Sequence, residues 1–143
     1  VSDPYKLERF LEAQDPLIAR VRAELAAGRK RSHWMWFIFP QLQGLGSSHT
    51  ARVYAIASVE EARAYLAHAV LGERLRECTS LVNQIEGHGI EAIFGYPDHL
   101  KFRSCMTLFA RAAGDAGAAA PFREALRKYF AAEEDPLTRE RLT

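Results

Sequence analysis

Leu71, Leu75, Cys78, Val82 and Ile85 recur at i, i+4, i+7, i+11 and i+14, and the run stops at Gly87 and Gly89. That is the period of one helical face, and it excludes a strand, whose apolar positions would alternate. The same period returns along the chain: Leu7, Phe10 and Leu11; Ile18, Val21 and Leu25 up to Gly28; Ala62, Tyr65 and Leu66 behind a Ser58–Glu61 capping box; Phe102, Cys105 or Met106, and Phe109. Three Asp-Pro pairs, at 3–4, 15–16 and 135–136, predict helix starts, with Asp as N-cap and Pro as the first helical residue. Ile90 to Phe94 reads as a short turn ending at Gly95, and Pro97–Asp98 opens the helix that carries Phe102. Gly114 to Ala120 reads as a flexible connection, after which Pro121 opens a helix bearing Phe122, Leu126, Tyr129 and Phe130. The predicted class is all-α, one domain over residues 1–143 with five or more packed helices.

One segment resists assignment by period. Trp34 to Phe39 are six consecutive apolar residues, and periodicity does not separate a buried strand from a buried helix there. No other segment offers a partner strand for their backbone groups, so they are assigned a helical turn, with Phe39 extended because Pro40 follows.

Composition narrows the function classes. With 143 residues, 48% hydrophobic and 26% charged, the chain suits one packed core rather than disorder. Nineteen Lys and Arg against 18 Asp and Glu remove a global electrostatic case for nucleic acid or a membrane surface. The opening VSDPYKLERF lacks a secretory layout, no apolar run approaches about 18 residues, and Cys78 and Cys105 lie within helical patterns. The expectation is a cytoplasmic protein with both thiols reduced. His49, His68, His88 and His99 show no metal-ligand spacing, and no metal is expected.

The unusual chemistry lies between Arg29 and Ile56, in RKRSHWMWFIFPQLQGLGSSHTARVYAI. His33 suits a general base or anion ligand, or a structural hydrogen bond at a helix start. Trp34 and Trp36, with Phe37 and Phe39, offer a stacking platform or core; two residues apart on a helix they diverge, so they do not line one pocket together. The Gly44-Leu45-Gly46-Ser47-Ser48 turn either brings backbone N–H groups to a phosphate or is a tight turn with an N-cap, starting a helix through Val53 and Tyr54. It has neither the lysine of a P-loop nor the strand of a dinucleotide fingerprint. Arg29, Lys30 and Arg31 raise the local potential, as solvated charge or as part of a site. Asp98, Lys101 and Ser104 follow at i, i+3 and i+6, an ion pair at a helix start or a second wall of the same site. The candidate set is His33 and Asp98 as catalytic groups, with Trp34, Gln41, Gly46, Ser48, Tyr54, Lys101 and Ser104 as ligand-binding groups. Polar residues beside apolar runs need water or partners, so His33, Gln41, Ser48, Asp98 and Lys101 are expected to share a hydrated concavity.

The motif SHWMWFIFPQLQGLGSS, followed by Tyr54-Ala55-Ile56, Tyr65-Leu66, Leu71-Gly72 with Arg74-Leu75, Ile93-Phe94-Gly95, Pro97-Asp98 with Lys101, and Ser104 with Met106-Thr107-Leu108-Phe109, resembles the bacterial domain-of-unknown-function family DUF1810, sometimes mislabelled calpastatin. The resemblance spans nearly the whole chain and implies no catalytic residue or cofactor.

Two functions fit these residues. The first is a small-molecule site, enzymatic or purely binding, for a phosphate-bearing nucleotide derivative, with an anionic small molecule as partner; the helical layout distantly resembles small domains linked to NAD and ADP-ribose metabolism, which implies a derivative of that kind. The second is a protein-interaction or adaptor module that presents the aromatic segment 33–41 to a protein partner. A third, RNA binding through Arg29 to Arg31, is disfavoured by the balanced charge. Exposure of Trp34 and Trp36 discriminates between the first two.

Overall fold

The computed structural model describes residues 2–142. They form ten helices: α1 (Glu8–Gln14), α2 (Ile18–Ala26), α3 (Met35–Ile38), α4 (His49–Val53), α5 (Val59–Ala67), α6 (Leu71–Gln84), α7 (Ile90–Phe94), α8 (Asp98–Ala112), α9 (Ala116–Phe130) and α10 (Pro136–Leu142). Among the described residues the extended pairing is a single parallel bridge between Leu42 and Ile56, so the fold is all-α as the periodicity requires. None of these helices is long and apolar enough to cross a membrane.

The centre of the packing is α8, which contacts α5, α7, α9 and α10. Its Phe102, every residue from Ser104 to Ala110, and Ala112 are buried, so it is covered nearly all round rather than along the single stripe the sequence suggested. Thr107 survives there by donating its hydroxyl to the Arg103 carbonyl and accepting from the Asp135 N–H. The five residues expected in the core, Leu75, Cys78, Val82, Phe102 and Phe109, are all buried. Burial pushes the Cys78 thiol up to about 12 and raises Cys105 as well, so both are inert apolar fillers. The start of α6 abuts the end of α5 so closely that a Cβ on Gly72 would stand 2.1 Å from the Leu66 carbonyl oxygen. Only glycine fits that crossing.

The helix-start signals divide. Asp135 caps α10 as expected, its carboxylate accepting from the Thr138 N–H and hydroxyl. Asp3 instead caps from a distance: Leu7 N–H and Glu8 N–H reach its two oxygens across an intervening turn, and α1 starts at Glu8. Asp15 caps nothing, because its carboxylate is drawn to Arg74 at 2.8 Å. The expected flexible connection before Pro121 is helix. Asp115 accepts from the Ala118 N–H and starts α9 at Ala116, and the alanine-rich run continues through Pro121 in the helix interior. Burial of Ala119 and Phe122 and a bond from Asn83 to the Pro121 carbonyl oppose the proline's tendency to break it.

The ambiguous apolar run is the expected helical turn, α3, with Phe39 leaving it at φ −123° and ψ 73°. Its aromatics seat it on the α7–α8 corner: Phe39 meets Phe102 edge-on at 5.0 Å between centroids, and Phe94 stacks on Phe102 at 4.9 Å.

Candidate functional site

Glu24, on α2, organises the entry to the aromatic segment. Its buried carboxylate accepts the N–H groups of Arg31 and Ser32, the Ser32 hydroxyl and the Trp34 indole N–H at 2.5–3.0 Å. Burial alone would raise its pKa, but these donors outweigh that and hold it at about 2. The hub locks Trp34 into the core with no exposure, so the tryptophan at the surface is its neighbour but one, Trp36, which is half-buried. The two indoles diverge as side chains two apart must.

A second clasp sets the opposite wall. The Arg9 guanidinium pairs with the buried Glu61 carboxylate at 2.9 Å and donates to the carbonyls of Val53 and Ala55. Glu61 also accepts from Ala57 N–H, while Ser58 accepts from Glu61 N–H, so the predicted capping box is tied into the clasp. The segment held this way joins residues 41–43 through two backbone bonds, Gln43 N–H to the Ile56 carbonyl and Ile56 N–H to the Gln41 carbonyl. Between them, Ser48 caps α4 by accepting from Ala51 N–H. Gly44, at φ +93°, lets the Arg141 guanidinium of α10 lie against its backbone, where a Cβ would stand 2.8 Å from Nη1.

These walls enclose a cavity of about 330 Å³. Met35 and Trp36 of α3, with Phe39 just after it, form one side, Gln41 to Gly44 and Gly46 another, Ala51, Arg52, Tyr54 and Ala55 a third, and Lys101 of α8 completes the lining. Lys101 Nζ sits 4.9 Å from the Trp36 ring centroid and 3.3 Å from Asp98. Asp98 is shared: its other oxygen lies 2.9 Å from Lys30 Nζ, so two ammonium groups draw on one carboxylate. Arg52 donates to a neutral partner, the Ser47 carbonyl. The lining therefore carries two cations and no carboxylate. A wider surface groove of about 790 Å³ between α8 and α9 differs in carrying carboxylates in its lining, Glu124 and Glu134, which pair with Arg127 and Arg111 and leave Arg123 beside them.

Of the candidate residues, Gln41, Gly46, Tyr54 and Lys101 line this cavity, and Asp98 stands behind Lys101. His33 is exposed and is not part of the lining. Trp34 serves the core in place of the cavity because Glu24 claims its N–H. Ser48 is engaged as the α4 cap, and Ser104 is buried with its hydroxyl donated to the Leu100 carbonyl. Of the concavity expected to gather five residues, the structure brings together Gln41 and Lys101, with Asp98 at one remove.

Residues 4–142 match the family model described as "Protein of unknown function (DUF1810)". The chain belongs to the DUF1810 family. It is also similar to the conserved hypothetical protein Rv1873 from Mycobacterium tuberculosis, known from a crystal structure, with 56% sequence identity, 98% of each chain covered and a TM-score of 0.95. A search of curated proteins gave no significant match. Within this DUF1810 chain, sequence reasoning missed Glu24, Arg9 and Arg52, and it weighed Trp36 as a stacking residue but left it out of the candidate set. Glu24 carried a signal, an acidic residue on the apolar side of α2 one position before Leu25, whereas Arg9 and Arg52 look like any surface arginine.

Proposed function

We propose that this protein binds a small anionic molecule, a phosphate-bearing nucleotide derivative of the class that includes NAD and ADP-ribose, in the cavity between α3, α4 and α8. The observation that carries the reading is a cavity of about 330 Å³ with two cationic side chains, aromatic walls and no carboxylate in its lining. Aromatic faces suit a base, and guanidinium and ammonium groups suit phosphate oxygens. The ionisable side chains in the lining are Arg52, Tyr54 and Lys101, all able to donate hydrogen bonds to phosphate oxygens. The adaptor reading has less support, since Trp34 is fully buried and Trp36 faces the cavity.

Thermal-shift screening against nucleotides and sugar phosphates tests this. A ligand at 100 times its dissociation constant stabilises the native state by about 2.7 kcal/mol. Lys101→Ala should reduce that shift and His33→Ala should preserve it. A wild-type protein indifferent to every phosphate-bearing nucleotide would contradict the reading.

A further inference from the structure

We infer that the cavity takes a nucleoside monophosphate rather than a dinucleotide, with the phosphate between Gly44 and Arg52 and the base against Trp36 and Tyr54. The inference rests on the proposed nucleotide reading and narrows it. Size is the first ground. Ligand sites run from about 300 to 1,000 Å³ and bury most of their ligand's surface. A cavity of about 330 Å³ is at the small end of that range, with room for one base–sugar–phosphate unit, whereas a dinucleotide has two. There is one set of aromatic side chains for a base, Trp36 and Tyr54, and Lys101 of the lining is drawn between the Trp36 ring and Asp98.

Charge is the second ground, and it also orients the ligand. Among the described residues, the N–H groups from Gly44 to Ser48 take no backbone or side-chain acceptor, and two of these residues, Gly44 and Gly46, line the cavity. Arg52, on the adjoining wall, gives Nη1 to the Ser47 carbonyl and has no carboxylate partner. A terminal phosphate monoester brings a charge of about −1.5 to −2 and three acceptor oxygens, which suits a guanidinium beside unengaged amides. The bridging pyrophosphate of a dinucleotide such as NAD lies mid-chain, with one charge on each phosphorus, and would carry a second nucleoside into the same space. Lys101 cannot be the principal phosphate partner on these terms, because part of its charge is already answered by Asp98.

Isothermal titration of wild type and Arg52→Gln with AMP, GMP, UMP, nicotinamide mononucleotide, adenosine, NAD and ADP-ribose decides it. At least one monophosphate should bind, no more weakly than NAD or ADP-ribose. Removing its phosphate, or replacing Arg52, should each cost roughly 10- to 100-fold in affinity, the loss expected for a charge-assisted hydrogen bond. If adenosine binds, its affinity should be the same for both proteins. NAD or ADP-ribose binding about tenfold tighter than every monophosphate would overturn the inference while leaving the nucleotide reading intact. Monophosphate affinity unchanged in Arg52→Gln would overturn the placement of the phosphate. Silence from all seven compounds would overturn both.

Discussion

Trp34 and Trp36 are separated by one residue and live in different environments. Trp34 has no exposure, gives its N–H to a buried carboxylate and packs edge-on against Phe94 at 6.4 Å. Trp36 is half-buried, is faced by the Lys101 ammonium and walls a cavity. The difference shows how a short helical turn sorts polar groups: on one side they are satisfied by the protein's own hub, on the other they are left for water or a ligand. Stability should therefore respond to the Trp34 side, and binding to the Trp36 side.

The strongest way to break the comparison is to remove the hub. Glu24→Ala leaves the Trp34 indole, two backbone N–H groups and the Ser32 hydroxyl without their acceptor, and should cost about 3–5 kcal/mol in denaturant unfolding. A loss below about 1 kcal/mol would mean that the hub does not hold the segment.

Acid acts on the same group more gently. With its folded pKa at about 2 against an ordinary 4.5, the Glu24 carboxylate contributes stability that is fully present above pH 4.5 and lost as pH falls toward 2. That contribution is on the order of 3 kcal/mol. Other carboxylates with lowered values, such as Glu134, add to the acid limb, so the measurement is the gap between wild type and Glu24→Gln. The gap should narrow over that window. A constant gap would contradict the linkage.

Smaller effects sharpen the contrast. Trp34→Phe should cost about 1–3 kcal/mol, from the lost indole bond and the space left in the core, and Trp36→Phe less than about 0.5 kcal/mol. Equal costs would erase the distinction between the two sides.

Much of the fold could be read from residue spacing, because the periods of α6 and α8 and the Ser58–Glu61 box are local signals that tertiary packing reinforces. The errors arose where distant charges competed for a capping side chain, as Arg74 does for Asp15, and where an aspartate inside a Gly/Ala-rich stretch started a helix through a proline. The candidate site was legible in part. Gln41, Gly46, Tyr54 and Lys101 were recognisable from residue type and position, and Lys101 with Asp98 from their helical spacing. Choosing Trp34 over Trp36 failed because the choice depends on Glu24, whose burial needs the α2–loop contact to be known. Arg52 was invisible for the same reason: nothing local says that the wall beside it lacks a carboxylate.

The most direct test of the cavity as a ligand site uses the two tryptophans, the chain's whole complement, as reporters. Titrating the wild-type protein with a nucleoside monophosphate should change the indole fluorescence saturably, and Trp36→Phe, which retains only the buried Trp34, should lose that change while unfolding at nearly the same denaturant concentration. A saturable change of undiminished size in Trp36→Phe, or none in the wild type, would contradict the account.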